Sequence, residues 1–214
     1  MAIPVVLYAK FASQAIPIVG ALVVWGRPMP APYRRVIWLC GLLLAADALD
    51  LVIAVLEGNN LFTSYVTLPV EVALSLWLLA AFQPNQQLRL TYGIVVPLML
   101  GATAVALAAT TPAVSFDLWV SPLLCLLILA AVAHTLVHRS LLSRTRLAGE
   151  DWFWICLGLA VHWGGLVAVP AFHRAYIDTH VEWVRLAYLV KAWTNIGAFI
   201  MIGWGVVCQR VAAR

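Results

Sequence analysis

The chain has 214 residues, of which 64% are hydrophobic and only 10% are charged, and its formal net charge is +4. Soluble globular domains carry roughly 25% charged residues, so this composition excludes an ordinary soluble enzyme and a disordered chain. It predicts an all-α, polytopic membrane protein. The four cysteines lie in or beside apolar segments without the paired spacing of a zinc finger, so neither a zinc finger nor a disulfide framework is indicated.

Seven apolar segments are each long enough to cross the roughly 30 Å hydrocarbon core of a bilayer as a helix of about 20 residues. In chain order, the predicted membrane-spanning segments are Ile3–Trp25, Tyr33–Leu56, Leu61–Phe82, Leu88–Thr110, Phe116–Val137, Asp151–Phe172 and Val184–Cys208. The first lacks a basic start and exceeds a signal peptide in apolar length, so we expect a first span and not a cleaved signal. The connections are short, which predicts a single seven-helix domain over residues 1–214.

The basic residues of the predicted loops are distributed unevenly between the two sides of the membrane. Nine of them share one side: Arg27, Arg34, Arg35, Arg89, Arg139, Arg144, Arg146, Arg210 and Arg214. Only Arg174 and Arg185 fall on the other side. Because basic loops stay in the cytoplasm, we expect the N-terminus outside, the C-terminus inside, and a multi-pass protein of a bacterial cytoplasmic (inner) membrane. Since these arginines mark membrane boundaries, they indicate no nucleic-acid partner.

A weak internal repeat links the two halves of the chain. Segments two and six both begin with a tryptophan and a cysteine two residues apart, namely Trp38 and Cys40, and Trp154 and Cys156. A similar offset aligns Glu71 of segment three with Lys191 of segment seven. These matches favour a 3+1+3 arrangement, in which helices 1–3 and 5–7 are parallel repeats and helix 4 is the linker.

Six ionisable residues inside the predicted segments fall in one layer of the outer half of the bilayer. At about 1.5 Å per residue, they lie ~10–16 Å below the outer edge. They are Lys10, Asp47, Asp50, Glu71, His162 and Lys191, with Asn195 one turn from Lys191. Each ionised group costs about 2.5–3.5 kcal/mol to insert, so buried charges must pair or become neutral. We expect Glu71 and Asp50 to be counter-charges to Lys191 and Lys10, with Asp47 and His162 as the titratable members.

Aromatic residues near this layer suggest a binding pocket. Tyr65, Trp163 and Trp193 are expected to form its apolar walls, and a few polar groups inside aromatic walls are typical of small-molecule sites. The leading hypothesis is a non-enzymatic membrane protein that binds or senses a small molecule or a proton there. A membrane or cytoplasmic protein partner would dock on the arginine-rich loops. The alternative for the same residues is ion pairing that only holds helices together.

Two other functions remain open at the level of sequence. One is an intramembrane enzyme that acts on a lipid or isoprenoid, with Asp47 or Glu71 as a carboxylic general acid and His162 as a further catalytic candidate. No motif of a serine or zinc hydrolase supports it. The other is an accessory subunit of a larger membrane complex.

No cofactor is required by the sequence, although two patterns deserve testing. His134 and His138 are spaced i, i+4, which makes them weak candidates for a metal or haem. Lys191 in the last segment invites comparison with retinal proteins. However, Ala187 stands one turn before it, where those proteins are expected to carry an aspartate.

Three short motifs are spread over segments two to seven. They are Gly58-Asn59-Asn60 leading into Thr67-Leu68-Pro69-Val70-Glu71, then Trp152-Phe153-Trp154-Ile155 with Gly158, and Lys191 and Asn195 with Gly203-Trp204. Through them the chain resembles a broad, uncharacterised family of small bacterial seven-transmembrane-helix membrane proteins. The resemblance implies that Asn60, Glu71, Lys191 and Asn195 are recurring features, and it implies no activity.

Overall fold

The structure, a computed structural model, describes residues 5–24, 29–57, 61–109, 120–143, 146–176 and 179–212. In that part of the chain the protein is 93% helix without strands, which confirms the all-α prediction. The helices are α1 (Val5–Gln14), α2 (Ile16–Val23), α3 (Ala31–Glu57), α4 (Leu61–Phe82), α5 (Gln86–Ala109), α6 (Ser121–Leu142), α7 (Asp151–Tyr176) and α8 (Val181–Ala212). A 3₁₀ turn over Leu147–Gly149 precedes α7.

Five of these helices are long and apolar enough to cross a membrane. The stretches concerned are Ala31–Ile53, Tyr65–Phe82, Gln86–Val105, Ser121–Leu142 and Glu182–Cys208. Two shorter apolar helical stretches, Tyr8–Val23 and Asp151–Val167, accompany them. The chain therefore has the helices of a multi-pass membrane protein, while the count of seven spans and their orientation stay predictions.

The first predicted segment is broken in two. Helix α1 ends at Gln14 and α2 begins at Ile16, with Pro17 in the first turn of α2. A proline has no backbone N–H to donate to the preceding turn and clashes with its carbonyl, so the two helices meet at a turn. Ala15 N donates to Ala12 O at 3.2 Å there. In contrast, Pro69 and Pro97 lie inside α4 and α5 without ending them.

Local sequence signals also explain the boundary between α4 and α5. Helix α4 ends at Phe82, two residues before Pro84, which disfavours a helical conformation in the residue before it. The side chain of Asn85 accepts a hydrogen bond from Gln87 N at 2.9 Å. An asparagine in this position satisfies one of the free N–H groups of the first turn, so it caps α5.

Six helical rods form a closed ring in the described residues. Going round it, α1 and α2 pack on α3, α3 on α4, α4 on α6, α6 on α7, α7 on α8, and α8 back on α1 and α2. Helix α5 lies outside the ring against α4. Large apolar side chains also cover the outside, as at Trp38 (69% exposed) and Leu98 (67% exposed), which suits a lipid-facing surface.

Helices α7 and α8 approach each other at backbone distance because glycines line their contact. A Cβ atom added to Gly158 would lie 2.7 Å from the backbone oxygen of Ala198, and one added to Gly205 would lie 2.8 Å from that of Asp151. Small residues at a helix interface are the usual means of close packing in membranes. The close approach fixes α7 and α8 relative to each other, and both carry residues of the predicted site.

Some predicted features lie outside the described residues. These are the motif residues Gly58, Asn59 and Asn60, the basic residues Arg27, Arg144 and Arg214, and residues 110–119, which include the start of the fifth predicted segment. The 3+1+3 repeat stays a prediction.

Candidate functional site

An ion pair joins the first rod to α3. Lys10 Nζ of α1 lies 2.7 Å from Asp47 Oδ2 of α3, and the two side chains are 13% and 24% exposed. Gln14 follows Lys10 by one helical turn and donates a hydrogen bond from Nε2 to the same carboxylate oxygen. Asp47 is thus the counter-charge of Lys10, and the prediction that Asp50 has this role is wrong.

Asp50 has a separate partner. It lies one turn along α3 from Asp47 and accepts a hydrogen bond from the hydroxyl of Thr63 in α4. The two carboxylates share a face of α3 but diverge, since Asp47 turns to α1 and Asp50 to α4. Helix α3 is therefore fastened through polar groups to both of its neighbours in the ring.

Glu71 of α4 and Lys191 of α8 complete the set of charges. Each is half-buried, and their charges act on each other and on those of Lys10 and Asp47. Within the described ranges, the pair between Lys10 and Asp47 is the only ion pair, so the predicted ion pair of Glu71 with Lys191 is absent there. Lys191 Nζ lies 6.0 Å from the ring centre of Tyr188.

A histidine and an asparagine link α7 to α8 beside these charges. His162 Nδ1 lies 3.0 Å from Asn195 Oδ1, and both side chains are buried. The edge of His162 meets the fully buried Trp163 at a centroid distance of 5.3 Å, and Phe199 packs on it at 5.6 Å. Because the amide oxygen is an acceptor, Nδ1 of His162 is the donor in this contact.

Every rod of the ring contributes a group to what we call the central cluster. It comprises Lys10 and Gln14 from α1, Asp47 and Asp50 from α3, Glu71 from α4, Cys125 from α6, His162 from α7, and Lys191 and Asn195 from α8. The charges of Lys191 and Glu71 reach Cys125, and those of Lys10, Lys191 and Asp47 reach His162. In the described residues, charged groups from separate helices therefore lie close enough to act on one another, and a common binding site there stays a prediction.

Several buried polar atoms around the cluster have no hydrogen-bond partner in the described part of the chain. They are Gln14 Oε1, Ser75 Oγ, His162 Nε2 and Trp163 Nε1. Ser75 lies one turn after Glu71 on the same face of α4. An unsatisfied buried polar atom costs about 1–3 kcal/mol, so such atoms are the natural partners of bound water or of a polar ligand.

The three aromatic residues that were predicted to line the pocket differ in how deeply they are buried. Trp163 is fully buried against the cluster, and Tyr65 is half-buried at the edge of the core. Trp193 is 63% exposed. It follows Lys191 by two residues, which is about 200° around a helix. It therefore lies on the outer surface of α8 and does not line the cluster.

The predicted histidine pair, His134 and His138, lies at the opposite end of the bundle. His134 Nδ1 lies 3.1 Å from the hydroxyl of Tyr92, and the ring of His134 stacks on that of His138 at 5.8 Å. Among the described residues, no group of three or more His, Cys, Asp or Glu side chains is placed to hold a metal ion. The two histidines and Tyr92 form a local polar contact between α5 and α6.

Three polar contributors were missed by the sequence analysis, namely Gln14, Thr63 and Ser75. Gln14 and Ser75 each lie four residues after an ionisable residue, Lys10 and Glu71, so they share its helix face. Uncharged polar residues one turn from a charge in an apolar helix were the signal that could have identified them.

Comparison with protein families, with curated proteins and with solved structures found no match to this chain. The resemblance to small bacterial seven-helix proteins stays a prediction.

Proposed function

We propose that the chain is a proton-binding and proton-sensing protein of the bacterial cytoplasmic membrane. The proposal includes seven membrane crossings, with α1 and α2 together forming the first, and an external N-terminus. The two shorter apolar stretches beside the five long ones support the count. The excess of arginine on one side supports the orientation.

The balance of charge in the central cluster carries the argument. Two ammonium groups, Lys10 and Lys191, face three carboxylates, Asp47, Asp50 and Glu71, so the full set has one surplus negative charge. Surplus charge is costly in a low-dielectric interior, and uptake of one proton removes it.

Glu71 is the proposed acceptor of that proton. Asp47 is held by Lys10 and Gln14, and Asp50 by Thr63, whereas Glu71 has no direct ion pair or hydrogen bond in the described residues. The groups whose charges reach it are Lys10 from α1, Asp47 and Asp50 from α3, and Lys191 from α8.

Protonation of Glu71 would remove its attraction for Lys191, and the balance of charge between α4 and α8 would change with it. A protein partner bound to the arginine-rich loops at the proposed cytoplasmic face would respond to this change. A small cationic ligand would neutralise the same surplus negative charge. The experiment must therefore distinguish binding of a proton from binding of such a ligand.

Infrared difference spectra between acidic and alkaline buffer, recorded on protein in lipid vesicles, test this proposal. We expect a carboxylic-acid band that disappears in Glu71→Gln, together with uptake of about one proton fewer by that variant. Glu182→Gln makes the same chemical change at an exposed residue of α8 and should keep the band.

The same band in Glu71→Gln and in the unaltered protein would refute proton binding at this residue. A band abolished only when a quaternary ammonium probe is added would instead favour a cationic small molecule at the site.

A further inference from the structure

A cavity lies at the end of the bundle opposite the central cluster, where α3 and α5 begin and α4 ends. Its volume is about 650 Å³. Most of its lining is small and apolar, as at Ala73, Leu74, Gly93 and Val96. A Cβ atom added to Gly93 would meet nothing within 4 Å, so this wall faces open space.

Two arginines give this cavity a strongly basic rim. Arg35 of α3 and Arg89 of α5 both line it, together with Trp77 of α4. The guanidinium of Arg35 lies 4.2 Å from the ring centre of Trp77 and donates a hydrogen bond to the Trp77 carbonyl oxygen. Arg89 Nε donates to Gln83 O at 2.7 Å. These contacts hold both arginines in place in the lining of the same cavity.

The two positive charges lack a carboxylate counter-ion among the described residues. They are near enough for the charge of Arg89 to act on Arg35. In the ranges that the structure describes, neither forms an ion pair with a carboxylate. Like charges held close together repel unless an anion lies between them, and guanidinium groups bind phosphate oxygens with matched geometry.

We infer that this cavity binds an anionic phospholipid, with Arg35 and Arg89 on its phosphate and the acyl chains along the small apolar residues of α4 and α5. The site is independent of the proton-binding cluster. Basic pockets between helices near the cytoplasmic surface suit such headgroups. Two guanidiniums favour a lipid of net negative charge, because the ammonium of a zwitterionic headgroup would meet both of them.

Native mass spectrometry of the purified full chain tests the inference, with phosphatidylglycerol and phosphatidylcholine supplied in equal amounts in detergent micelles. We expect phosphatidylglycerol to be retained over phosphatidylcholine by at least about tenfold. Arg35→Gln and Arg89→Gln should each abolish most of that preference. Arg34→Gln is the matched control, since it removes the same charge from the neighbouring, exposed residue outside the cavity.

Gly93→Leu provides a test that leaves every charge in place. The Cβ atom of the new side chain meets no protein atom within 4 Å and the leucine takes up cavity volume, so the fold should persist while lipid retention falls. The thermal melting curve of each variant shows whether it is folded.

Three results would overturn the inference. They are equal retention of the two lipids, an equal loss in Arg34→Gln and Arg35→Gln, and stabilisation by inorganic phosphate alone that matches that by phosphatidylglycerol. The last result would assign the site to a free anion and not to a lipid.

Discussion

Replacing Gly158 by alanine should push α7 and α8 apart. The new Cβ atom would lie 2.6 Å from Ile202 Cγ1 and 2.7 Å from Ala198 O. The isoleucine side chain can rotate away, but the carbonyl oxygen belongs to the backbone of α8 and cannot. Since ordinary contacts require about 3.5 Å, α8 must retreat by nearly an ångström in roughly this direction.

The size of the effect follows from a matched pair of glycines in α7. Alanine at Gly164 meets nothing within 4 Å. Both substitutions gain the same helix propensity, which therefore cancels when the two variants are compared. The remaining difference is the cost of overpacking, about 1–3 kcal/mol in the free energy of unfolding. The variant at Gly158 should be the less stable one by this amount.

The displacement should also reach the central cluster. His162 is one turn after Gly158, and its hydrogen bond to Asn195 spans 3.0 Å between α7 and α8. A lengthening of almost an ångström breaks such a bond. Unfolding in mixed micelles, followed by circular dichroism, measures the difference between the two variants. Equal stability of Gly158→Ala and Gly164→Ala would refute the close backbone contact.

Two further predictions concern polar contacts of the cluster. Lys10→Met should lower the free energy of unfolding by about 3 kcal/mol, because it leaves Asp47 without its counter-charge. The double variant with Asp47→Leu should recover part of that loss. Simple additivity of the two changes in the same unfolding assay would contradict the ion pair. Asn195→Leu should cost about 1–3 kcal/mol because His162 Nδ1 loses its acceptor, while Trp193→Leu on the outer face should stay within about 0.5 kcal/mol. Similar melting temperatures for these two variants would argue against a buried hydrogen bond.

Hydropathy was sufficient to predict where the long helices lie. The predicted segment Leu61–Phe82 coincides with α4, and the segment Tyr33–Leu56 differs from α3 by at most two residues at either end. A bilayer requires long, continuous apolar runs, so the signal is strong in the sequence. Proline was harder to interpret, because Pro17 stands at a break whereas Pro69 and Pro97 do not.

The partners within the cluster were predicted less well than its members. Rise per residue indicates depth, and depth alone grouped Lys10 with both Asp47 and Asp50. The choice of Asp47 depends on how α1 and α3 are rotated about their axes. That rotation follows from packing contacts distant in sequence, such as those of both N-terminal helices with α8. The exposure of Trp193 has the same origin.

By itself, the sequence determined that the chain is helical, rich in membrane-length segments, and supplied with charged residues inside those segments, because each of these properties is a count along one helix. Tertiary structure alone decided which carboxylate meets Lys10, why Glu71 and Lys191 stay apart, and where Arg35 and Arg89 enclose a cavity. These outcomes depend on how each helix is rotated about its own axis and on the distance between helix axes. Both are set by side-chain volume at crossings such as Gly158 against Ala198, which no single segment encodes.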